Sequence, residues 1–155
     1  IANYDQAVED FMKAIEIKPK NPVAFLNIGL SYRNKRDYEK TIQNITKAIE
    51  ISPDYWQAYY TRGAAYFQKI DYDKAIVDFT RAIELNPKFT DAYYRRGLSY
   101  YLKGDFERAI SDLANAIELD PGFVEAYIDR GNTYYFRAEY DKAIVDYSKA
   151  IVFYK

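Results

Sequence analysis

The chain of 155 residues contains no cysteine and no histidine. The first absence removes disulfides and thiolate metal sites and leaves the redox compartment open. The second removes the commonest general base and the commonest metal ligand. Without either, catalysis would fall to a carboxylate dyad, and no carboxylates stand at a spacing that demands one. The sequence therefore points away from an enzyme, and it implies no metal and no cofactor. Long apolar runs are also missing: none approaches the roughly 20 residues that span a bilayer. No signal peptide is visible, since the chain opens on an amphipathic stretch from Ile1 to Ile17. This reading favours a soluble chain, with the cytoplasm preferred over other compartments. Excess charge is lacking too. Lys plus Arg number 22 against 23 Asp plus Glu, which argues against the cationic surplus that nucleic-acid binding requires.

Tyrosine is abundant, with 18 copies against 9 Phe and 1 Trp. A tyrosine has a large apolar face and a polar tip, so it suits positions packed on one side and wet on the other.

Self-similarity organises everything else. Pro recurs at Pro19, Pro53, Pro87 and Pro121, and Gly at Gly29, Gly63, Gly97 and Gly131, both in steps of 34. Tyr32, Tyr66, Tyr100 and Tyr134 follow the same step, as do Ala14, Ala48, Ala82, Ala116 and Ala150. A fixed period of this length marks a stacked repeat architecture.

Each unit reads as two helices. Tyr93, Arg96, Gly97 and Tyr100 fall at helical spacing, and Ala109, Ile110, Leu113, Ala116 and Ile117 lie on one face of a second helix. The first helix (A) ends in Lys35, Lys69, Lys103 or Arg137, facing the negative end of its dipole. Asp37, Asp71 and Asp105 are natural N-caps for the second helix (B), with Glu139 a poorer one. Helix B stops before Ser52-Pro53, Asn86-Pro87 and Asp120-Pro121, because a residue preceding Pro is pushed out of the α region. Gly97 and its equivalents allow close helix approach onto the alanines, and a bulky side chain there would cost roughly 1–3 kcal/mol by overpacking.

The period, the aromatic–x2–small/long–Gly–x2–Tyr string, the Ala–x3–aromatic–x2–Ala string and the closing Pro resemble the tetratricopeptide repeat. The units are 22–55, 56–89, 90–123 and 124–155, with 1–21 supplying the second helix of an earlier unit through Tyr4, Ala7, Phe11, Ala14 and Pro19. There are departures. Thr41 and Ile45 replace the usual Ala and aromatic, the usual loop glycine is kept only at Gly104, and the last unit ends on Tyr154-Lys155. The resemblance implies an all-α solenoid of antiparallel helix pairs, nine helices in one array wound as a right-handed superhelix. It also implies core positions for Tyr32, Tyr66, Tyr100 and Tyr134.

One pair of positions varies together. Where the family usually has Leu before the Gly, this chain has Ile28, Arg62, Arg96 and Arg130. On helix B, the residues before the aromatic position are Asn44, Asp78, Asp112 and Asp146. Ile goes with Asn and Arg with Asp, which predicts Arg62–Asp78, Arg96–Asp112 and Arg130–Asp146 ion pairs inside each unit. Pairing to the next unit fits worse, since Asp10 would face Ile28 and Asn44 would face Arg62. Their contribution is modest if they are exposed.

The resemblance implies that helix A lines a concave binding surface. By position this gives Leu26, Asn27, Leu30, Arg33 and Asn34 in the first unit, and Gln57, Tyr60, Thr61, Ala64 and Phe67 in the second. The third gives Asp91, Tyr94, Arg95, Leu98 and Tyr101, and the fourth Glu125, Asp129, Asn132 and Tyr135. The two-carboxylate clamp of the chaperone-tail class is not matched: Asn27 and Arg95 stand alone, and Asp91 occupies a position that needs Lys. The asparagine ladder of the glycosyltransferase-associated class is not matched either, because it reads Asn27, Thr61, Arg95, Asp129. What remains is an aromatic and apolar floor with an acidic C-terminal half. That surface suits a protein or peptide with basic and apolar side chains. The expected function is a protein-interaction scaffold. The alternative is a self-associating module stacking through uncapped terminal helices, since Ile144, Tyr147, Ile151, Phe153 and Tyr154 read as apolar along one side. A helical-repeat RNA reader is disfavoured by the period of 34, the neutral charge and the acidic face.

Overall fold

The computed structural model describes residues 4–153, and every regular element among them is an α-helix. The order is α1 (Tyr4–Ile17), α2 (Pro22–Asn34), α3 (Tyr38–Ile51), α4 (Trp56–Gln68), α5 (Tyr72–Leu85), α6 (Thr90–Leu102), α7 (Phe106–Leu119), α8 (Val124–Phe136) and α9 (Tyr140–Phe153). No helix among the described residues is long and apolar enough to cross a membrane. The helices group into two compact units, Ile1–Leu85 and Asn86–Lys155. In the first, α2 pairs with α3 and α4 with α5, while α1 lies on α2, α3 on α4, and α2 touches α4. In the second, α6 pairs with α7 and α8 with α9, α7 lies on α8, and α6 touches α8.

Capping sets the helix limits. The Asp37, Asp71 and Asp105 carboxylates accept from the backbone N–H of Lys40, Lys74 and Arg108 at 3.1, 3.2 and 3.2 Å. Each satisfies a donor that the helix start leaves open. The Glu139 carboxylate is held instead by Lys142 Nζ and Arg137 Nε, both at 2.7 Å. Within the first unit α4 opens on Tyr55, and within the second α8 opens on Phe123; neither side chain makes a capping hydrogen bond. In the second unit this ring plugs the gap to the preceding hairpin, Phe123 lying 4.7 Å from the Tyr94 ring.

The turn after each helix A bends through a left-handed residue. Gly104 takes φ +79°, and Arg36, Ile70 and Ala138 take φ 59°, 65° and 58°. Side chains with a Cβ pay roughly 1–2 kcal/mol there, and a β-branched one is the least suited. Ile70→Gly is therefore expected to raise stability by about 1 kcal/mol, after allowing for the flexibility glycine adds to the unfolded chain. Ile70 is 72% exposed, so little packing is lost. A rise in thermal midpoint checks this; no rise would mean the turn relaxes without strain.

Small residues let the helices of a pair close. Ala75, Ala82, Ala109 and Ala116 are fully buried. A Cβ added at Gly97 would lie 3.1 Å from Leu113 Cγ and 3.2 Å from Asp112 Cβ, tighter than ordinary contact. The departures Thr41 and Ile45 are fully buried as well. Thr41 satisfies its hydroxyl on the Asp37 carbonyl at 2.8 Å, so a polar residue enters the core without an unpaired group.

The three predicted Arg–Asp pairs form, each as a two-point fork. Arg62 reaches Asp78 at 2.8 and 2.8 Å, Arg96 reaches Asp112 at 2.7 and 2.7 Å, and Arg130 reaches Asp146 at 2.8 and 2.7 Å. They are not exposed pairs: the carboxylate side chains are 4%, 5% and 3% exposed and the guanidinium side chains 19%, 17% and 19%. Each guanidinium also lies over a tyrosine one turn back on its own helix, Tyr59, Tyr93 or Tyr127, at 5.8, 5.8 and 5.9 Å. Burial pushes the Asp78 carboxyl up, and the Arg62 fork opposes that shift. In the first hairpin Ile28 is buried at this position, and Asn44 turns its amide to the Lys40 carbonyl at 2.8 Å.

Two expectations change. Tyr32, Tyr66, Tyr100 and Tyr134 are half-buried rather than core. A helix-B cation covers each ring: Lys40 at 5.1 Å, Lys74 at 5.3 Å, Arg108 at 4.5 Å and Lys142 at 5.3 Å. The hydroxylated ring serves here as a platform for a solvated cation. The cations closing helix A meet more than the helix dipole. Lys35 pairs with Asp5 and Lys69 with Glu39, and Arg137 bonds Glu107 at 2.8 Å, each carboxylate 30 residues upstream.

Candidate peptide-binding face

In the second unit, α6 and α8 touch and present their outward stripes together. Asp91, Tyr94, Arg95, Leu98 and Tyr101 fall at successive helical turns of α6, and Glu125, Asp129, Asn132 and Tyr135 do so on α8. Helix α6 turns Arg96 and Gly97 towards α7, and only the inner edge of this stripe reaches that partner, where Tyr94 packs beside Leu113 and Ala116 and Tyr101 beside Phe106.

One bond crosses the two helices. The Tyr94 hydroxyl donates to Asp129 Oδ2 at 2.8 Å. Burial, followed by the bond to Asp129, pushes the Tyr94 hydroxyl far above its ordinary value. Burial likewise raises the Asp129 carboxyl, against the Tyr94 and Asn132 donors and with the nearby Glu125 charge. A half-desolvated carboxylate gains most from a new cation. Asp91 and Glu125 are exposed on the same stripe. Arg95 lies over the Tyr94 ring at 5.8 Å, so three carboxylates share the stripe with one guanidinium. Leu98 is half-buried.

At the far end the face turns aromatic. Tyr101 stands 5.9 Å from Phe106 and 5.9 Å from Phe136, Phe106 stacks on Phe136 at 6.3 Å, and Tyr135 contacts Phe136 at 6.2 Å and Tyr140 at 5.5 Å. The residue-by-residue reading found Tyr101 and Tyr135 but missed Phe106, Phe136 and Tyr140. A signal for Phe136 existed, because the equivalent positions carry Asn34, Gln68 and Leu102.

In the first unit the corresponding residues are more inward. Leu26 and Thr61 are buried, and Thr61 gives its hydroxyl to the Gln57 carbonyl at 2.7 Å, so neither lines an open surface. Asn27, Leu30, Tyr60 and Phe67 are half-buried. Tyr60 packs on Phe79 at 5.8 Å and Phe67 on Tyr72 at 5.4 Å. On α9, Ile144, Ile151 and Phe153 are exposed, whereas Tyr147 is half-buried and donates to Asn132 Oδ1 at 2.9 Å. Tyr154 lies outside the described residues.

Helical hairpins repeated every 34 residues, closed by small residues and leaving a chemically varied helix-A face, define an α-solenoid interaction module. Tetratricopeptide-repeat family models match residues 56–89 and 90–123, and residues 1–21, 23–55 and 124–151. The chain belongs to the tetratricopeptide repeat family. A crystal structure of MamA is 30% identical over 97% of this chain and 88% of that one, with a TM-score of 0.93. MamA from Desulfovibrio magneticus RS-1, residue 41 to its end, shares the fold at 20% identity and a TM-score of 0.92, over 98% of this chain and 86% of that one. A thermophilic tetratricopeptide-repeat protein of Thermus thermophilus does so at 22% and 0.74, over 96% and 81%. No curated protein matches the sequence at a significant level. The family is generally non-catalytic, and the chain is a protein-interaction scaffold.

Proposed function

We propose that the α6–α8 face holds a peptide segment of a partner protein, one carrying a basic side chain and apolar side chains. The carrying observation is Asp129, half-desolvated, fixed by Tyr94 and flanked by the exposed Asp91 and Glu125. A Lys or Arg of the ligand compensates that carboxylate, and Tyr94, Leu98 and Tyr101 offer apolar area beside it. Arg95 meets a carbonyl or carboxylate of the same segment.

Selection from a random dodecapeptide display library tests this. Enrichment of sequences combining Lys or Arg with aromatic or aliphatic residues is expected, and an Asp91→Asn/Glu125→Gln/Asp129→Asn chain loses it. Enrichment of acidic sequences would overturn the reading. Because burial raises the Asp129 carboxyl, its charge is lost on acidification at a higher pH than that of an ordinary aspartate. Peptide affinity is therefore expected to fall, as pH is lowered, from above the usual aspartate range near 4. A pH-independent affinity down to that range would exclude Asp129 as the cation's partner.

A second reading rests on the exposed Ile144, Ile151 and Phe153 of α9: copies of the chain associate through this apolar face. Light scattering decides it. A mass that grows with concentration and returns to the monomer on Ile151→Lys supports the reading, and a monomer mass throughout removes it.

A further inference from the structure

We propose that the aromatic end of the second unit is a distinct subsite that takes an aromatic or large aliphatic side chain three residues from the ligand's cation on an extended strand. This rests on the peptide-binding reading above and adds to it a place and a spacing.

Across three of the four helix-A to helix-B turns the chain pairs two rings: Phe67 with Tyr72 at 5.4 Å, Tyr101 with Phe106 at 5.9 Å, and Tyr135 with Tyr140 at 5.5 Å. Such a pair packs a single turn and needs no ligand. Phe136 changes this in the second unit. Its ring contacts Tyr101, Phe106 and Tyr135, so it joins two turns into one continuous aromatic surface. The equivalent positions in the first unit are Asn34 and Gln68, so the hairpin itself has no need of an aromatic there. Phe136 is 63% exposed, Tyr135 57% and Tyr140 55%. Three neighbouring aromatics left this open make a patch of the kind that anchors a partner's side chain.

Charge around the patch suits an apolar occupant. Arg137 bonds Glu107 at 2.8 Å and Glu139 at 2.7 Å, and Lys142 bonds Glu139 at 2.7 Å, so these rim charges already compensate one another. The uncompensated negative charge is further along the stripe, at Asp129 with Glu125 and Asp91. Apolar and acidic subsites on one face complement a ligand that is itself apolar at one point and cationic at another. From Asp129 to Phe136 the helix rises about 10 Å. An extended peptide covers about 10 Å in three residues. The ligand therefore carries its cation and its anchor at positions i and i+3, in one of the two chain orders.

Titrating the full isotope-labelled chain by NMR tests this. The probes are two hexapeptides, one with arginine at its second position and phenylalanine at its fifth, the other with these exchanged; glycine and serine fill the rest. One of them is expected to shift the amides of both Asp129 and Phe136. Replacing its phenylalanine by alanine, or moving it next to the arginine, is expected to weaken binding by about tenfold or more. Phe136→Ala in the protein has the same effect while the Asp129 shift persists. Phe136 is exposed enough for that variant to fold. An alanine probe that binds as tightly, or a Phe136→Ala chain that binds unchanged, overturns the subsite and leaves the acidic-face reading standing. Absence of any shift at Asp129 with every probe overturns both.

Discussion

Replacing Asp112 by alanine lowers the stability of the second unit by about 3 kcal/mol in urea denaturation. Loss of one member of a buried ion pair costs roughly 3–5 kcal/mol, because the other charge stays buried without its counterion. The lower end applies here, since the Arg96 side chain keeps 17% of its surface in solvent and its guanidinium remains over Tyr93 at 5.8 Å. The double variant Arg96→Ile/Asp112→Asn recovers most of the loss, to within about 1 kcal/mol of the parent, since exchanging both charges removes the desolvation penalty with the attraction. The chain already contains that arrangement: Ile28 is 1% exposed in the first hairpin, beside Asn44. A double variant as unstable as Asp112→Ala alone would show that the fork does more than neutralise itself.

Phe79→Ala is expected to cost about 3–5 kcal/mol, the range for emptying a buried aromatic site. Phe79 is fully buried, and its ring faces both Tyr60 and the glycine gap at Gly63, where an added Cβ would lie 2.9 Å from Phe79 Cε1. The surrounding helices cannot collapse into the space because α4 and α5 are already in contact along their small residues. Phe79→Leu costs about 1.5 kcal/mol or less, since the equivalent place in the third hairpin holds a fully buried Leu113. Equal losses for the two variants would mean that ring contacts, not filled volume, hold the hairpin.

The period made the helices and their pairing legible, because every hairpin repeats the same spacing of small, aromatic and capping residues. Covariation of two positions was enough to place the three Arg–Asp forks, although only the structure shows that their carboxylates are buried. Position within the repeat misjudged residues whose environment depends on a neighbouring side chain. Tyr66 reads as core until the Lys74 cation is seen over its ring. Thr61 reads as a surface contact until its hydroxyl is seen turned onto the Gln57 carbonyl. At the candidate site, Tyr94 and Asp129 were each legible as lining residues. Their mutual bond was not, since it joins helices 35 positions apart. The aromatic end was legible only in part, because Phe106 and Tyr140 lie on helix B beyond the turn, and Phe136 closes helix A at a position that carries Asn34, Gln68 and Leu102 in the other hairpins.

The most direct test of the binding face is the affinity of a display-selected, dye-labelled dodecapeptide for the parent chain and for Tyr94→Ala/Tyr101→Ala, read by fluorescence anisotropy with helicity checked by circular dichroism. Two anchoring aromatics at about 2 kcal/mol or more each predict a loss of affinity on the order of several hundredfold or more with the helices intact, since each 1.4 kcal/mol is about tenfold. Equal affinity for both chains would contradict the account and move the binding surface off the α6–α8 face.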